Sequence, residues 1–120
     1  MDISLRAATD ADIPFLIQLR EITMTEHLAA VGAPTSHDEY SKRVHYHFDG
    51  AQLIEAEGKV VGLFKTKFLV DKNQWYLVQI QVHPDYQNHK IGSRLIKQLL
   101  SRAIDQGASV YLSVLKSNPA

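Results

Sequence analysis

Cysteine is absent from the 120 residues. That excludes a disulfide-framed domain and any thiolate zinc site. A basic excess is also missing, with 13 Lys and Arg against 13 Asp and Glu, so the electrostatic signature of a nucleic-acid binder is not there. No run approaches the roughly 18 apolar residues of a membrane span. The opening Met1-Asp2-Ile3-Ser4-Leu5-Arg6 has neither the basic start nor the apolar stretch of a signal peptide, which points to a cytoplasmic domain with no membrane partner. Internal repeats and low-complexity tracts are missing too, so residues 1–120 read as a single domain. What remains is 45% hydrophobic, enough for one real core.

Periodicity divides the chain into elements. Ile3 to Ala7 alternates like a strand, and Thr9-Asp10-Ala11-Asp12 opens a helix carrying Ile13, Leu16, Ile17 and Leu19. Pro14 fits only a first turn, which sets that helix to begin near Asp12. Gly32-Ala33-Pro34 breaks the helical pattern, and Asp38 to Phe48 reads as a second helix. Gln52 to Ala56, Lys59 to Val70 and Trp75 to Val82 form an antiparallel meander, with Glu57-Gly58 and Asp71-Lys72-Asn73 as turns.

Beyond Val82 the period becomes helical. Ile91, Leu95, Ile96, Leu99, Leu100, Ala103 and Ile104 share one face, and Gly107 supplies the stop. Ser109 to Leu115 reads as a strand parallel to Trp75–Val82, through a right-handed crossover. The fold class is therefore α+β, a mixed sheet in the order β-α-α-β-β-β-α-β.

Chemistry concentrates between Val82 and Ser93. A helix leaves its first N–H groups without intrahelical partners and carries a partly positive end, which together suit a phosphate. Gly92 lets a bulky anion approach the backbone, and Lys90 adds charge. One glycine alone is more readily the mark of an ordinary polar loop. Its position decides the reading, because ligands in such sheets gather beyond the carboxyl ends of parallel strands.

The run Val82-His83-Pro84-Asp85-Tyr86-Gln87, followed by Ile91-Gly92-Ser93-Arg94-Leu95-Ile96, resembles the cofactor motif of the GNAT superfamily of acetyl-CoA-dependent N-acetyltransferases. Gln87 takes the opening position of its Gln/Arg-x-x-Gly-x-Gly/Ala pattern and Gly92 the closing one. The element order from Ile3 to Leu115 matches that family as well. The resemblance implies acetyl-CoA as cosubstrate, with its pyrophosphate on the N–H groups of Gln87, Asn88, His89, Lys90, Ile91, Gly92 and Ser93. The pantetheine arm would pair with Ile80, Gln81 and Val82 like an added strand, and an N–H near Gln81 or Val82 would polarise the acetyl carbonyl. Asn118 resembles an asparagine that contacts the cofactor. The acceptor would be a primary amine of a small molecule or a protein.

Three departures accompany the resemblance. Lys90 replaces the family's first glycine, which keeps the loop unstrained provided its φ is negative. The strand that carries a glutamate base in relatives has Gln79 and Gln81, and neutral amides orient a water without taking its proton. The chain also reads as short of a further helix and two strands, including a tyrosine that protonates the leaving thiolate. No catalytic residue is assigned. Glu26 and His27, expected just after the first helix, are the nearest proton acceptors, and solvated loop residues are their simpler reading.

A non-catalytic acyl-CoA-binding regulatory domain and a fragment of a longer enzyme are the alternative functions. The apolar last strand predicts a homodimer or partner chain over that edge. His37, His45, His47, His83 and His89 lack ligand-like spacing, so no metal is expected. Lys65 and Lys67 alternate onto one sheet face, read as solvated. Phe64, Phe68, Trp75 and Tyr76 read as packing residues.

Overall fold

The computed structural model describes residues 2–32, 35–87 and 89–112, with His27 described by its backbone alone. Elements follow the order β1 (Ile3–Ala7), α1 (Ile13–Ala30), α2 (His37–His45), β2 (Ala51–Ala56), β3 (Lys59–Leu69), β4 (Gln74–Val82), α3 (Ile91–Asp105) and β5 (Ser109–Leu112). This is the order the periodicity predicts. The sheet runs β1-β2-β3-β4-β5, antiparallel until β5 joins β4 in parallel.

Local chemistry accounts for the boundaries. Asp12 accepts from the Thr9 N–H at 2.8 Å and holds Arg6 through two bonds of 2.9 and 3.0 Å, fixing the entry to α1. Ser36 caps α2 by accepting from the Glu39 N–H. Glu57 and Gly58 both take positive φ (53° and 81°), as a two-residue hairpin turn requires.

The sheet separates two cores. On one face α1 and α2 bury Leu16, Leu19, Leu28, Tyr40 and Val44 against Leu53 and Leu63. On the other, α3 buries Ile91, Leu95 and Leu99 against Ile54, Val61, Phe64 and Leu77. Each such side chain contributes roughly 1.5–3 kcal/mol on burial.

Several expectations need correction. Helix α1 continues to Ala30, so Glu26 and His27 stand on it rather than after it. Helix α2 spans His37–His45, ending before Phe48. The buried stripe of α3 is narrower than its apolar periodicity: the line Ile91-Leu95-Leu99-Ala103 is buried and Ile96 packs beside it, whereas Leu100 is 43% exposed and Ile104 76%. Ser113 to Leu115, expected in the last strand, lie outside the described residues.

Two bulges interrupt the ladders. Val61 is the extra residue of β3 opposite β2, since Ile54 pairs with Gly62 and Glu55 with Val60. Val78 is the extra residue of β4 opposite β3, since Lys65 pairs with Gln79 and Thr66 with Leu77. The Val78 carbonyl accepts from Arg43 Nη2 at 3.0 Å, so an α2 side chain holds the second bulge in place.

Candidate acyl-CoA and acceptor site

Strand β4 leads into the loop that starts α3. His83 donates its N–H to the Val61 carbonyl at 2.7 Å, using the oxygen that the β3 bulge exposes. Its ring Nδ1 accepts from the Asp85 N–H, beginning a single 3₁₀ turn over Pro84–Tyr86. The Gln87 side chain folds back, its Nε2 donating to the Val82 carbonyl at 3.0 Å, while its backbone N–H donates to Pro84. Gln87 thus ties the loop to the end of β4. His89 and Lys90 are exposed; Asn88 and Asn118 lie outside the described residues.

Lys90 precedes α3 with φ 60° and ψ 24°, the left-handed region. The negative φ expected there is not found. The helix must open at this point, and the backbone adopts the geometry a glycine takes more cheaply. The Lys90 side chain makes no capping bond, and among the described residues nothing accepts from the N–H groups of Ile91, Gly92 or Ser93. A Cβ placed on Gly92 would meet only the Ile80 Cδ1 at 3.4 Å. Among the described residues nothing caps the positive helix mouth and no side chain stands at Gly92, which fits a diphosphate-bearing ligand.

Beside it runs the end of β4. Its described pairing with β5 ends where Leu77 meets Leu112, leaving Val78 to Val82 without a described strand neighbour on that side. Ile80 and Val82 turn toward the α3 core. Gln79 and Gln81 are buried, 9% and 7% exposed, and face α1 and α2 alongside Lys65 and Leu63, their partners across the ladder.

The α1/α2 side holds the charge that sequence patterning misplaces. Lys65 is 0% exposed, not solvated. Its Nζ donates to the carbonyls of Arg43 and Val44 at 3.0 Å and of Tyr46 at 2.7 Å, satisfying the end of α2 where the helix leaves acceptors unpaired. Burial, with Arg43 and Arg20 nearby, pushes the Lys65 ammonium down to about 7, while the three carbonyls act the other way. Burial and Arg43 likewise lower Arg20, to about 10. Lys67 is the lysine that reaches outward, pairing with Asp49 at 3.0 Å.

The aromatic residues pack as expected. Phe64 is buried, Phe68 lies 5.1 Å from Trp75, and Tyr76 lies 5.3 Å from Tyr111. Among the described residues no three His, Cys, Asp or Glu side chains converge for a metal, and no helix is long and apolar enough to cross a membrane.

The model of the acetyltransferase (GNAT) family matches residues 16–120. The chain belongs to this family. Three solved structures show how the GNAT fold recurs at low identity. N-acetylglutamate synthase from Neisseria gonorrhoeae, complexed with coenzyme A and N-acetyl-glutamate, is 23% identical with a TM-score of 0.63, over 93% of this chain and 25% of that one. The chain therefore spans a quarter of the synthase. PaiA N-acetyltransferase from Thermoplasma acidophilum, in complex with coenzyme A, is 17% identical with a TM-score of 0.69, over 99% and 83%. A GNAT-family acetyltransferase from Staphylococcus aureus Mu50 is 18% identical with a TM-score of 0.69, over 97% and 75%. At these identities the likeness concerns the fold.

Proposed function

We propose that this GNAT domain transfers an acetyl group from acetyl-CoA to a primary amine. The observation that carries the reading is the uncapped start of α3, with Gly92 open above it and Lys90 adjacent. Bound there, acetyl-CoA supplies a thioester whose acetyl group the amine takes up. The residues divide the work. The N–H groups of Ile91, Gly92 and Ser93 hold the diphosphate, with His89 and Lys90 at the mouth and Asn88 and Asn118 as further candidate contacts. The backbone of β4 at Ile80, Gln81 and Val82 pairs with the extended arm and directs an N–H at the acetyl oxygen. Gln87 keeps the loop against Val82. The attacking amine must be neutral and must lose a proton as the new bond forms. Gln79 and Gln81 orient that amine or a water; as the C–N bond forms the thioester C–S bond breaks, CoA leaves as its thiolate, and solvent water takes the amine proton and protonates the thiolate.

A second reading, acyl-CoA binding without catalysis, draws on the same two amides standing where relatives place a base. Calorimetric titration with acetyl-CoA and CoA, followed by an amine panel, separates them: turnover with any amine supports the transferase, and binding without turnover supports the regulatory domain. Gly92→Asp sets a carboxylate among the diphosphate donors while meeting only the flexible end of Ile80. It is expected to reduce CoA affinity at least 100-fold with an unchanged circular-dichroism spectrum; unchanged affinity would refute the assigned site.

A further inference from the structure

Among the described residues two buried polar atoms have no hydrogen-bond partner, Arg20 Nε and Gln79 Oε1. Buried polar groups are nearly always paired, so each calls for an explanation. One is a donor, the other an acceptor, and they are not bonded to each other. Both lie on the α1/α2 side of the sheet, and Gln79 sits one residue past the Val78 bulge, directly across the ladder from Lys65.

The surrounding charge is one-sided. Arg20 lies over the Tyr40 ring at 5.6 Å, and the Tyr40 hydroxyl is engaged with Thr25 at 2.6 Å. Arg43 lies over Tyr46 at 4.9 Å and gives one N–H to Val78. Lys65 spends its donors on the end of α2. Elsewhere the described ion pairs match cations with carboxylates: Arg6 with Asp12 and Glu55, Lys42 with Glu39, Lys67 with Asp49. Among the described residues, none joins a carboxylate to Arg20, Arg43 or Lys65. Arg20 and Arg43 are half-buried beside the buried Lys65, and partly desolvated cations without a counter-charge are costly, a cost that an incoming anion offsets.

We infer that the acceptor is a primary amine that also bears a carboxylate, its anionic group taken by Arg20 and its amine directed at Gln79 Oε1. This rests on the transfer reaction proposed above and names its substrate class. A carboxylate supplies the acceptor atoms that Arg20 Nε lacks, in the planar geometry guanidinium favours. An amine supplies the N–H that Gln79 Oε1 lacks, on the strand whose backbone is to present the acetyl group. Arg43 and Lys65 do not touch the ligand; they make the site positive. Arg20 is the specificity-determining contact.

The test follows the Arg20 Nε–H resonance in the ¹⁵N-labelled protein with CoA present, assigned by its loss in Arg20→Lys. The probes are the standard α-amino acids and their α-carboxamides. At least one amino acid is expected to shift this resonance and to bind at least 10-fold more tightly than its carboxamide. Arg20→Met is expected to erase that preference while leaving CoA affinity unchanged. If no amino acid moves the resonance, or if carboxamides bind equally well, the inference is wrong; the wild-type titration decides this even should the variants misfold. Failure to bind CoA overturns the transferase reading instead, and the same titration without CoA then judges the anion site by itself.

Discussion

At Lys65 a side chain that reads as surface is instead the cap of a helix. Strand alternation places Lys65 and Lys67 on one face, but alternation does not say what covers that face. Here α2 does, and its terminal carbonyls need donors. Proton linkage gives a measurable consequence. The folded chain releases the Lys65 proton at about 7, whereas the unfolded chain keeps it to near 10.5. Between those values the unfolded state binds the extra proton, so stability rises with pH; below them both states are charged and this slope vanishes. The urea midpoint of the wild type is expected to climb from pH 7 to 9.5 more steeply than that of Lys65→Met, and parallel profiles would contradict the burial. Lys90 gives a second case. Left-handed backbone costs a non-glycine residue roughly 1 kcal/mol, part of which the greater freedom of unfolded glycine cancels. Lys90→Gly should therefore stabilise by about 0.5 kcal/mol, and Lys90→Ala, which keeps the strain, should not. Thermal melts of the three proteins distinguish these outcomes.

Among elements, the helices differ in how far their sequences foretell them. Helix α3 shows its sheet-facing side because its apolar residues recur at helical spacing, and Gly92 and Gly107 mark its ends. Helix α1 is apolar on several sides, so its length did not show and Glu26 and His27 were placed beyond it. The signal that survives is at its entrance, where Asp12 joins Arg6 and Thr9. The Arg6 guanidinium, helped by Thr9, holds the Asp12 carboxyl down to about 2 against an ordinary 3.8. Its contribution is thus complete above about pH 4 and disappears as pH falls through 2. Asp12→Asn is expected to cost about 1 kcal/mol at pH 7 and progressively less as pH falls to 2, read from urea unfolding at both values. The anionic acceptor site had weaker sequence signals still, since Arg20, Arg43, Lys65 and Gln79 come from four elements with no common spacing.

For the molecule as a whole, the five-stranded sheet keeps two cores apart. Ile17 belongs to the α1/α2 core and Ile91 to the α3 core. Shortening each to valine is expected to cost about 0.5–1.5 kcal/mol. The double variant should lose the sum within about 0.5 kcal/mol, because no packing contact is shared. A larger discrepancy in chemical unfolding would show that the faces communicate through the strands. The meander, the crossover and the open helix mouth were legible because each leaves a local trace: paired turn residues, a change of period, a glycine at the start of a helix. The positive φ at Lys90 and the bulges were not, since a ladder irregularity depends on two strands at once.

Counting residues along β4 shows what the insertion at Val78 accomplishes. Trp75 and Leu77 point toward α3, so strict two-residue alternation would send positions 79 and 81 the same way, burying two amides in hydrocarbon. The additional residue reverses the parity. Ile80 and Val82 inherit the greasy side, and Gln79 and Gln81 arrive among the arginines. Excising position 78 would therefore turn the downstream half of the strand inside out, exchanging its amide-bearing and hydrocarbon faces without altering any other side chain.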